Sequence, residues 1–215
     1  IPGDDLENCI GAVEFIEQLR TVHHKVKVGK KVIVLGGGNT AMDAASESAR
    51  MGAEKVILAY RRSRDEMGAY AFEYDLAKSV GAKGMFNVTP VEIVGNKKVE
   101  GVKFIRNRSA YGKIEKVKGS GFVEECDMVI LATGQSKQVG FLEQIPNMEL
   151  DKKGRIMDNR GRILVNKKNY QTKNPKYFAA GDAVNGGVEV VNAVYEAKIA
   201  AKGIHEYLNN ETMKQ

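Results

Sequence analysis

The chain has 215 residues, a formal net charge of +6 and an ordinary globular composition, with 43% hydrophobic and 28% charged residues. That length suits one large domain or two small ones, and the longest apolar runs fall far short of the roughly 18 residues that span a membrane. The positive charge is scattered and no nucleic-acid motif accompanies it, so we expect neither a membrane nor a nucleic acid as partner.

The cysteine and histidine content predicts no metal or redox-thiol site. Cys9 and Cys126 lie far apart and form no C-x-x-C pair, which argues against a disulfide framework, a zinc site and a redox-active dithiol. An iron–sulfur cluster needs about four cysteines, so this chain cannot hold one alone. The adjacent His23 and His24 would not share a helix face. Because two lone thiols suit a reducing compartment and no secretory leader opens the chain, we expect a cytoplasmic protein.

The first elements predicted along the chain are a loop and a helix. Ile1–Leu6 has the composition of a surface loop. The apolar residues between Val13 and Leu19 follow the spacing of an amphipathic helix that continues towards Thr21.

A strand, a glycine turn, a helix and a second strand follow. Lys30–Leu35 is a short apolar strand that leads directly into the glycine turn at Gly36–Gly38. The helix after the turn extends to about Met51 and is closed by Gly52. Val56–Tyr60 is the second buried strand. This succession within about 30 residues is the context that makes a glycine pattern informative.

The middle of the chain predicts a loop, a helix and a strand-rich segment. Arg61–Gly68 is the loop and Ala71–Val80 the helix. The strand-like pieces are Met85–Val94, Val99–Asn107, Lys113–Lys118 and Phe122–Cys126. Breaks at Gly95-Asn96 and Tyr111-Gly112 are typical of hairpin turns.

The last third predicts fewer regular elements. Met128–Leu131 is a buried strand that ends in Ala132-Thr133-Gly134. From Gln135 the sequence predicts loops and short strands, and Asn174–Ala179 is again predicted to be a strand. Gly181-Asp182 then opens a turn before a long helix from about Glu189 to Leu208.

The glycine turn has the G-x-G-x-x-G/A pattern of dinucleotide-binding proteins. Gly36 would let the strand turn sharply, Gly38 would let the backbone approach a pyrophosphate, and Ala41 would let the helix pack closely against the strand. The N-terminus of the helix then offers free N–H groups and a positive dipole end to the phosphates. The sequence therefore predicts a nicotinamide dinucleotide site.

The end of the second strand indicates which dinucleotide binds. An NAD site places a carboxylate there for the ribose 2′-hydroxyl, whereas an NADP site uses arginine. Here Tyr60 is followed by Arg61, Arg62 and Arg64, and no carboxylate precedes Asp65. Because the arginine fork suits a phosphate, the sequence favours NADPH over a merely solvated basic loop.

Five segments together resemble the flavoprotein family of the glutamate synthase small subunit and the flavin/NADPH part of dihydropyrimidine dehydrogenase. They are, in order, Val34–Asp43, Tyr60–Met67, Pro90–Val94, Ala132–Gln135 and Phe178–Asp182. The match covers nearly the whole chain.

The resemblance implies an α/β fold with a Rossmann-like three-layer NAD(P)-binding domain and a β-meander, inserted in an incomplete FAD-binding domain. Residues 29–134 resemble the inserted NADPH domain. Residues 1–28 resemble a connecting segment of the FAD domain, and residues 135–215 its C-terminal part. The first FAD-binding glycine turn and the cluster cysteines of the family are absent from the sequence, so we expect a C-terminal fragment.

The resemblance also implies cofactor-binding residues. For NADPH these are Gly36, Gly37, Gly38, Asn39, Thr40, Ala41, Arg61, Arg62, Arg64, Ala132, Thr133 and Gly134. For FAD they are Gly181 and Asp182, whose carboxylate would accept a ribityl hydroxyl, with Val190 and Val191 offering N–H groups to the flavin. No residue is expected to act as acid, base or nucleophile, because the cofactors carry the chemistry.

The implied activity is that of an NAD(P)H-dependent FAD oxidoreductase, with this chain alone inactive. Hydride would pass between NADPH and FAD, and electrons would travel through iron–sulfur clusters in the missing N-terminal region to a partner subunit. One alternative is a dinucleotide-binding module without catalysis. A thioredoxin reductase-like enzyme would need a C-x-x-C within the NADPH domain, and the sequence contains none. A nucleic-acid binder is the weakest alternative.

Overall fold

The structure is a computed structural model that describes residues 1–22, 25–110, 113–134, 139–147 and 162–212. The chain divides into two compact units, residues 1–134 and 135–215. Among the described residues no helix is both long and apolar enough to cross a bilayer.

Nine strands and six helices are described. The strands are β1 (Cys9–Gly11), β2 (Lys31–Leu35), β3 (Lys55–Tyr60), β4 (Lys83–Phe86), β5 (Val88–Gly95), β6 (Val99–Ala110), β7 (Lys113–Lys116), β8 (Phe122–Glu125) and β9 (Met128–Leu131). The helices are α1 (Ala12–Thr21), α2 (Asn39–Arg50), α3 (Ala71–Ser79), α4 (Val139–Leu142), α5 (Asp182–Asn185) and α6 (Val190–Thr212).

The centre of the first unit is a parallel sheet with strand order β1-β9-β2-β3-β4. Alternate side chains of its middle strand, β2, point to opposite faces of the sheet, and both faces are covered by a core. Val32 and Val34 pack towards one core, whereas Ile33 and Leu35 pack towards the other. A continuous apolar run in the sequence therefore forms a central strand.

Helices α1, α2 and α3 cover one face of this sheet. Phe15 and Leu19 of α1 are buried in the core on this face, as are Ala41, Met42 and several small residues of α2. The small side chains of α2 let this helix lie close to the sheet. The helix ends where Gly52 takes a left-handed φ of 99°.

The antiparallel strands β5, β6, β7 and β8 form the third layer, with β6 paired to each of the other three. Val102 and Phe104 of β6 are fully buried in the core shared with Ile33 and Leu35 of β2. The α/β class and the three-layer arrangement with a meander are thus confirmed. The assignment of residues 1–28 and 135–215 to an FAD domain stays a prediction.

The second unit has few regular elements in its described part. The short helix α5 and the 23-residue helix α6 are its main features, and a small core forms around Tyr170, Val184 and Ala200. A second small cluster joins Leu142 and Ile145.

The structure differs from the sequence prediction in three places. The strand predicted at Asn174–Ala179 is wrong: only an isolated bridge joins Gln171 to Phe178, because the Asn174 side chain forms a local turn by accepting from the N–H of Lys176. The strand predicted at Met85–Val94 is interrupted at Asn87, which has a φ of 56°. β1 was not predicted, since its three residues become a strand only through pairing with β9.

Candidate functional site

The predicted NADPH segments meet at one edge of the parallel sheet. β2, β3 and β9 are neighbours, and their carboxyl ends are followed directly by Gly36, Arg61 and Ala132. Ligands of open α/β sheets bind beyond the carboxyl ends of strands, where the strand order reverses. β2 lies at such a position. From β2 the chain continues to β3 and β4 on one side of the sheet, and it later returns to β9 on the other side of β2.

Gly36 and Gly37 are required by packing inside the protein. A Cβ atom on Gly36 would lie 2.5 Å from the carbonyl oxygen of Ala132, and one on Gly37 would lie 2.5 Å from the ring of Tyr60. Gly36 also has a φ of 156°. Because these two glycines lack side chains, Ala132, directly after β9, and the ring of Tyr60 can approach the turn. This packing role is in addition to the sharp turn expected from sequence.

Gly38 is different, because nothing lies within 4 Å of the position that its Cβ would occupy. Its backbone is extended, with φ −100° and ψ 175°, and it forms the N-cap of α2. In the described part of the chain the N–H groups of Gly38, Asn39 and Thr40 have no acceptor, and the first turn of α2 has no acidic residue. Open space beside unpaired N–H groups fits an anionic group such as a pyrophosphate.

Ala41 and Asn39 have additional structural roles. Ala41 is fully buried against the sheet, as expected for the last small residue of the pattern. The Asn39 side chain accepts a hydrogen bond from the N–H of Tyr70 at 3.0 Å, and the carbonyl of Gly37 accepts one from Ala69 at 3.0 Å. The end of the arginine loop, defined here as Arg61–Tyr70, is thereby attached to the glycine turn.

The three arginines of this loop have different environments. Arg61 is exposed, and Arg62 is half-buried with an enclosed Nε that has no partner among the described residues. Neither forms an ion pair within the described ranges. Arg64 lies over the ring of Tyr74, 5.3 Å from its centroid, and its guanidinium is 3.9 Å from Asp75. Arg61 and Arg62 are consequently the better available cations.

The nearby carboxylate of Glu66 forms no ion pair with an arginine among the described residues and is instead bonded to Ser63. Its Oε2 accepts from the hydroxyl of Ser63 at 2.8 Å and from the Ser63 N–H at 3.2 Å, which closes a capping box around a 3₁₀ turn at Arg64–Glu66. These bonds from Ser63, led by the hydroxyl and aided weakly by the charge of Arg62, hold the pKa of Glu66 below its usual range. Glu66 therefore stays ionised while it stabilises the loop.

The carbonyls at the start of the arginine loop are held by residues that sequence reasoning missed. The Asn107 side-chain amide donates to the carbonyl of Arg61 at 2.8 Å, and the Asn87 N–H donates to that of Arg62 at 3.0 Å. No sequence pattern singles out Asn107, since its partner is a backbone atom 46 positions away.

Of the Ala132-Thr133-Gly134 segment, Ala132 contacts the turn at Gly36 as described, while Thr133 and Gly134 are exposed. Gly134 has a φ of 134° and open space around it. Gln135 of the motif, the His23-His24 pair and the Tyr111-Gly112 turn lie outside the described residues.

The predicted FAD residues of the second unit come together at the start of α6. Gly181 has a φ of 67°, donates its N–H to Glu196 at 2.8 Å, and would place a Cβ 3.3 Å from that of Ala193. Asp182 follows with an exposed side chain. Val190 and Val191 are also exposed, and among the described residues their N–H groups have no acceptor.

The two cysteines lack the properties of redox-active thiols. Burial is the main cause that raises the pKa of Cys9 to about 11 and that of Cys126 to about 12. Within the described ranges no cluster of three or more metal-ligating side chains occurs. A thioredoxin reductase-like thiol mechanism therefore has no support in this sequence or in these thiols.

Comparison with known proteins defines the class. The chain matches the pyridine nucleotide-disulphide oxidoreductase family over residues 1–197 and belongs to that family. The fold is similar to that of a solved structure, the thioredoxin reductase of T. acidophilum, with a TM-score of 0.66 and 26% identity over 84% of this chain and 53% of that one.

Two curated relatives are more specific. The glutamate synthase (NADPH) small chain of Halomonas elongata is 35% identical over 97% of this chain and 46% of its own length. The protein of the same description from Escherichia coli is 41% identical over 84% of this chain and 39% of its own length. The resemblance to the glutamate synthase small-subunit family is confirmed, and the chain spans less than half the length of these relatives.

Proposed function

We propose that this chain is the NADPH-binding part of a cytoplasmic, flavin-dependent oxidoreductase that passes hydride between NADPH and FAD. The two cofactors supply the redox chemistry, and the residues of this chain bind and orient them. By analogy with the glutamate synthase small chains, electrons would then travel through iron–sulfur clusters outside this chain to a partner subunit.

The observation that carries the proposal is the availability of Arg61 and Arg62 directly after β3. Arg61 and Arg62 directly follow β3 at the sheet edge where a dinucleotide would bind, and neither forms an ion pair with a carboxylate among the described residues. Since a carboxylate for a ribose 2′-hydroxyl is absent from this position, the pair is suited to a 2′-phosphate. Arg64, which is engaged with Tyr74, would assist by its charge.

The pyrophosphate would lie against Gly38 and the first turn of α2. The N–H groups of Gly38, Asn39 and Thr40 have no acceptor among the described residues, and open space lies at the Cβ position of Gly38. The positive end of the helix dipole would add to their attraction for an anion. The exposed Thr133 and Gly134, at the end of β9 beside this turn, would contact the cofactor beyond its pyrophosphate.

In the second unit, Asp182 would accept a ribityl hydroxyl of FAD, and the N–H groups of Val190 and Val191 would meet the flavin ring. The exposed Asp182 carboxylate and the unpaired N–H groups at the start of the 23-residue α6 support this assignment. Gly181 would fix the approach of this turn to α6 through its bond to Glu196.

The proposal predicts that the protein binds NADPH more tightly than NADH. A hydrogen bond to a charged group contributes roughly 1.5–3 kcal/mol, and two contacts at a solvated rim suggest about 2–4 kcal/mol together. This corresponds to a preference on the order of 30- to 1000-fold, which should shrink as salt screens the charges. Calorimetric titration of wild type and of Arg61→Ala/Arg62→Ala with both cofactors measures it, and the double variant should lose the preference.

Lys97→Ala/Lys98→Ala is the matched control. This variant also removes two positive charges, but from an exposed hairpin outside the site, so it should keep the preference for NADPH. Equal affinity of wild type for the two cofactors would contradict the assignment, as would a double arginine variant that still discriminates.

A further inference from the structure

We propose that Asn107, a buried asparagine of β6, is a positioning residue that sets the nucleotide specificity of the arginine loop. The inference rests on the proposed function, because it gives Asn107 this role only if Arg61 and Arg62 contact the 2′-phosphate. Asn107 belongs to the meander layer and is 7% exposed, so it does not itself reach a solvated cofactor phosphate.

The contacts of the Asn107 side chain fix its orientation. Its Nδ2 donates to the carbonyl oxygen of Arg61 at 2.8 Å and to the hydroxyl of Thr89 at 2.8 Å, while the Thr89 hydroxyl lies 3.1 Å from its Oδ1. Only the NH₂ end of an amide can face a carbonyl oxygen. The amide is therefore held from one side by Thr89 and holds Arg61 on the other.

A backbone bridge completes the attachment. The N–H of Asn107 donates to the carbonyl of Asn87 at 2.7 Å, and the N–H of Asn87 donates to the carbonyl of Arg62 at 3.0 Å. Asn87 has a φ of 56°, in the left-handed region that asparagine tolerates better than most residues. Two consecutive carbonyls, those of Arg61 and Arg62, are thus fixed by one connected set of hydrogen bonds.

The far end of the same loop is fixed independently. Ala69 and Tyr70 donate to Gly37 and to the side chain of Asn39, so the arginines lie in a segment with both ends held. A preformed loop does not lose backbone entropy when the phosphate binds, which raises affinity without a new contact. Loss of the Asn107 amide would release the Arg61 carbonyl and lower the affinity for the ligand that uses the arginines.

The ratio of NADPH affinity to NADH affinity is a readout that a purely structural role of Asn107 would not change. NADH would share the pyrophosphate cradle with NADPH but has no 2′-phosphate, so its affinity should not depend on the arginine geometry. Asn107→Ser shortens the side chain so that it cannot reach Arg61, and Asn107→Asp keeps the shape but loses the donor. Asn174→Ser is the matched control, because Asn174 is also a 7% exposed asparagine whose side-chain amide donates to a backbone carbonyl, that of Pro146 at 2.7 Å, outside the proposed NADPH site.

The experiment is calorimetric titration of wild type and the three variants with NADPH and NADH, with thermal unfolding to verify that each is folded. We expect both Asn107 variants to lower the NADPH:NADH affinity ratio about tenfold with NADH affinity nearly unchanged, and Asn174→Ser to keep the wild-type ratio. Equal weakening of both cofactors, or an unchanged ratio, would overturn the role of Asn107 and leave the proposed function standing. No preference in wild type would overturn the proposed function itself.

Discussion

The two turns predicted to bind cofactors both contain glycine, but their surroundings differ. Gly36–Gly38 connects a central strand to the 12-residue α2, within a unit whose sheet is covered on both faces. Gly181 leads into the four-residue α5, in a unit whose described core is small. At the start of α6, Val190 and Val191 remain 77% and 67% exposed.

Under the proposed function, this difference means that the first turn would have a complete binding framework and the second only part of one. Around Gly38 lie a helix terminus with unpaired N–H groups and open space, and the arginine loop is attached to the same turn. Around Gly181 it supplies a carboxylate and two N–H groups, but no glycine turn for the ADP part of FAD. We therefore expect the first unit to bind its cofactor alone and the second to need further chain.

The largest expected contrast is in flavin content. The purified chain should be colourless, because contacts near Asp182 alone are too few to retain FAD. An absorbance spectrum of freshly purified protein tests this directly. Visible flavin bands at a stoichiometric level would remove the distinction between the two turns.

Substitutions within the first turn should separate ligand binding from folding. Gly38→Val should weaken NADPH binding more than about 1000-fold, since a side chain there blocks three hydrogen bonds to charged phosphates worth roughly 1.5–3 kcal/mol each. It should leave the circular dichroism spectrum unchanged, because the backbone of Gly38 is extended and its surroundings are open. Calorimetry with NADPH gives the affinity, and retained binding would show that this turn is not the phosphate cradle.

Two further glycine variants serve as controls. Gly11→Val also replaces a helix N-cap glycine with extended backbone, at α1, and should keep NADPH binding. Gly36→Ala should instead destabilise the fold by about 1–3 kcal/mol, because its Cβ would overlap the carbonyl of Ala132. A stable Gly36→Ala protein in thermal unfolding would refute the packing role of Gly36.

The smallest expected effect concerns the thiols. Raised pKa values favour the neutral thiol, so thiolate forms only as pH approaches about 11 for Cys9 and about 12 for Cys126. The pKa of each folded thiol lies at least two units above the ordinary cysteine value of 9.0. At pH 8 the folded protein should therefore react with iodoacetamide at least about 100-fold more slowly than the protein in urea. Rapid alkylation of either cysteine in the folded state would reopen a thiol-based mechanism.

Much of the first unit could be predicted from sequence, because its elements have strong local signals. The apolar run of β2 and β9, the glycine turn and the periodic helices indicate their own structure. β1 and the break at Asn87 could not be predicted, since pairing with β9 and a left-handed backbone angle depend on the folded environment. The strand expected at Asn174–Ala179 failed because an asparagine side chain competes for the backbone groups of a ladder.

In the candidate site, too, some residues could be predicted from sequence and others depend on the folded environment. Gly38 and the arginines could be named because their side chains, or the lack of one, would contact a ligand directly. Asn107 could not be named, since it acts on the backbone of Arg61, which only the fold brings near. Asn39 could be named for the cofactor, but the bond from Tyr70 to its side chain could not be predicted. Likewise, the contact that requires Gly36 to be a glycine comes from Ala132, which the sheet places beside it.

The most direct test of the central claim is amide-resolved NMR of the labelled chain during titration with NADPH. The account predicts that the largest shifts occur at the amides of Gly38, Asn39 and Thr40 and at the guanidinium signals of Arg61 and Arg62, with the arginine shifts absent for NADH. Shifts confined to residues around Gly181 and Val190, or identical shift patterns for the two cofactors, would contradict it.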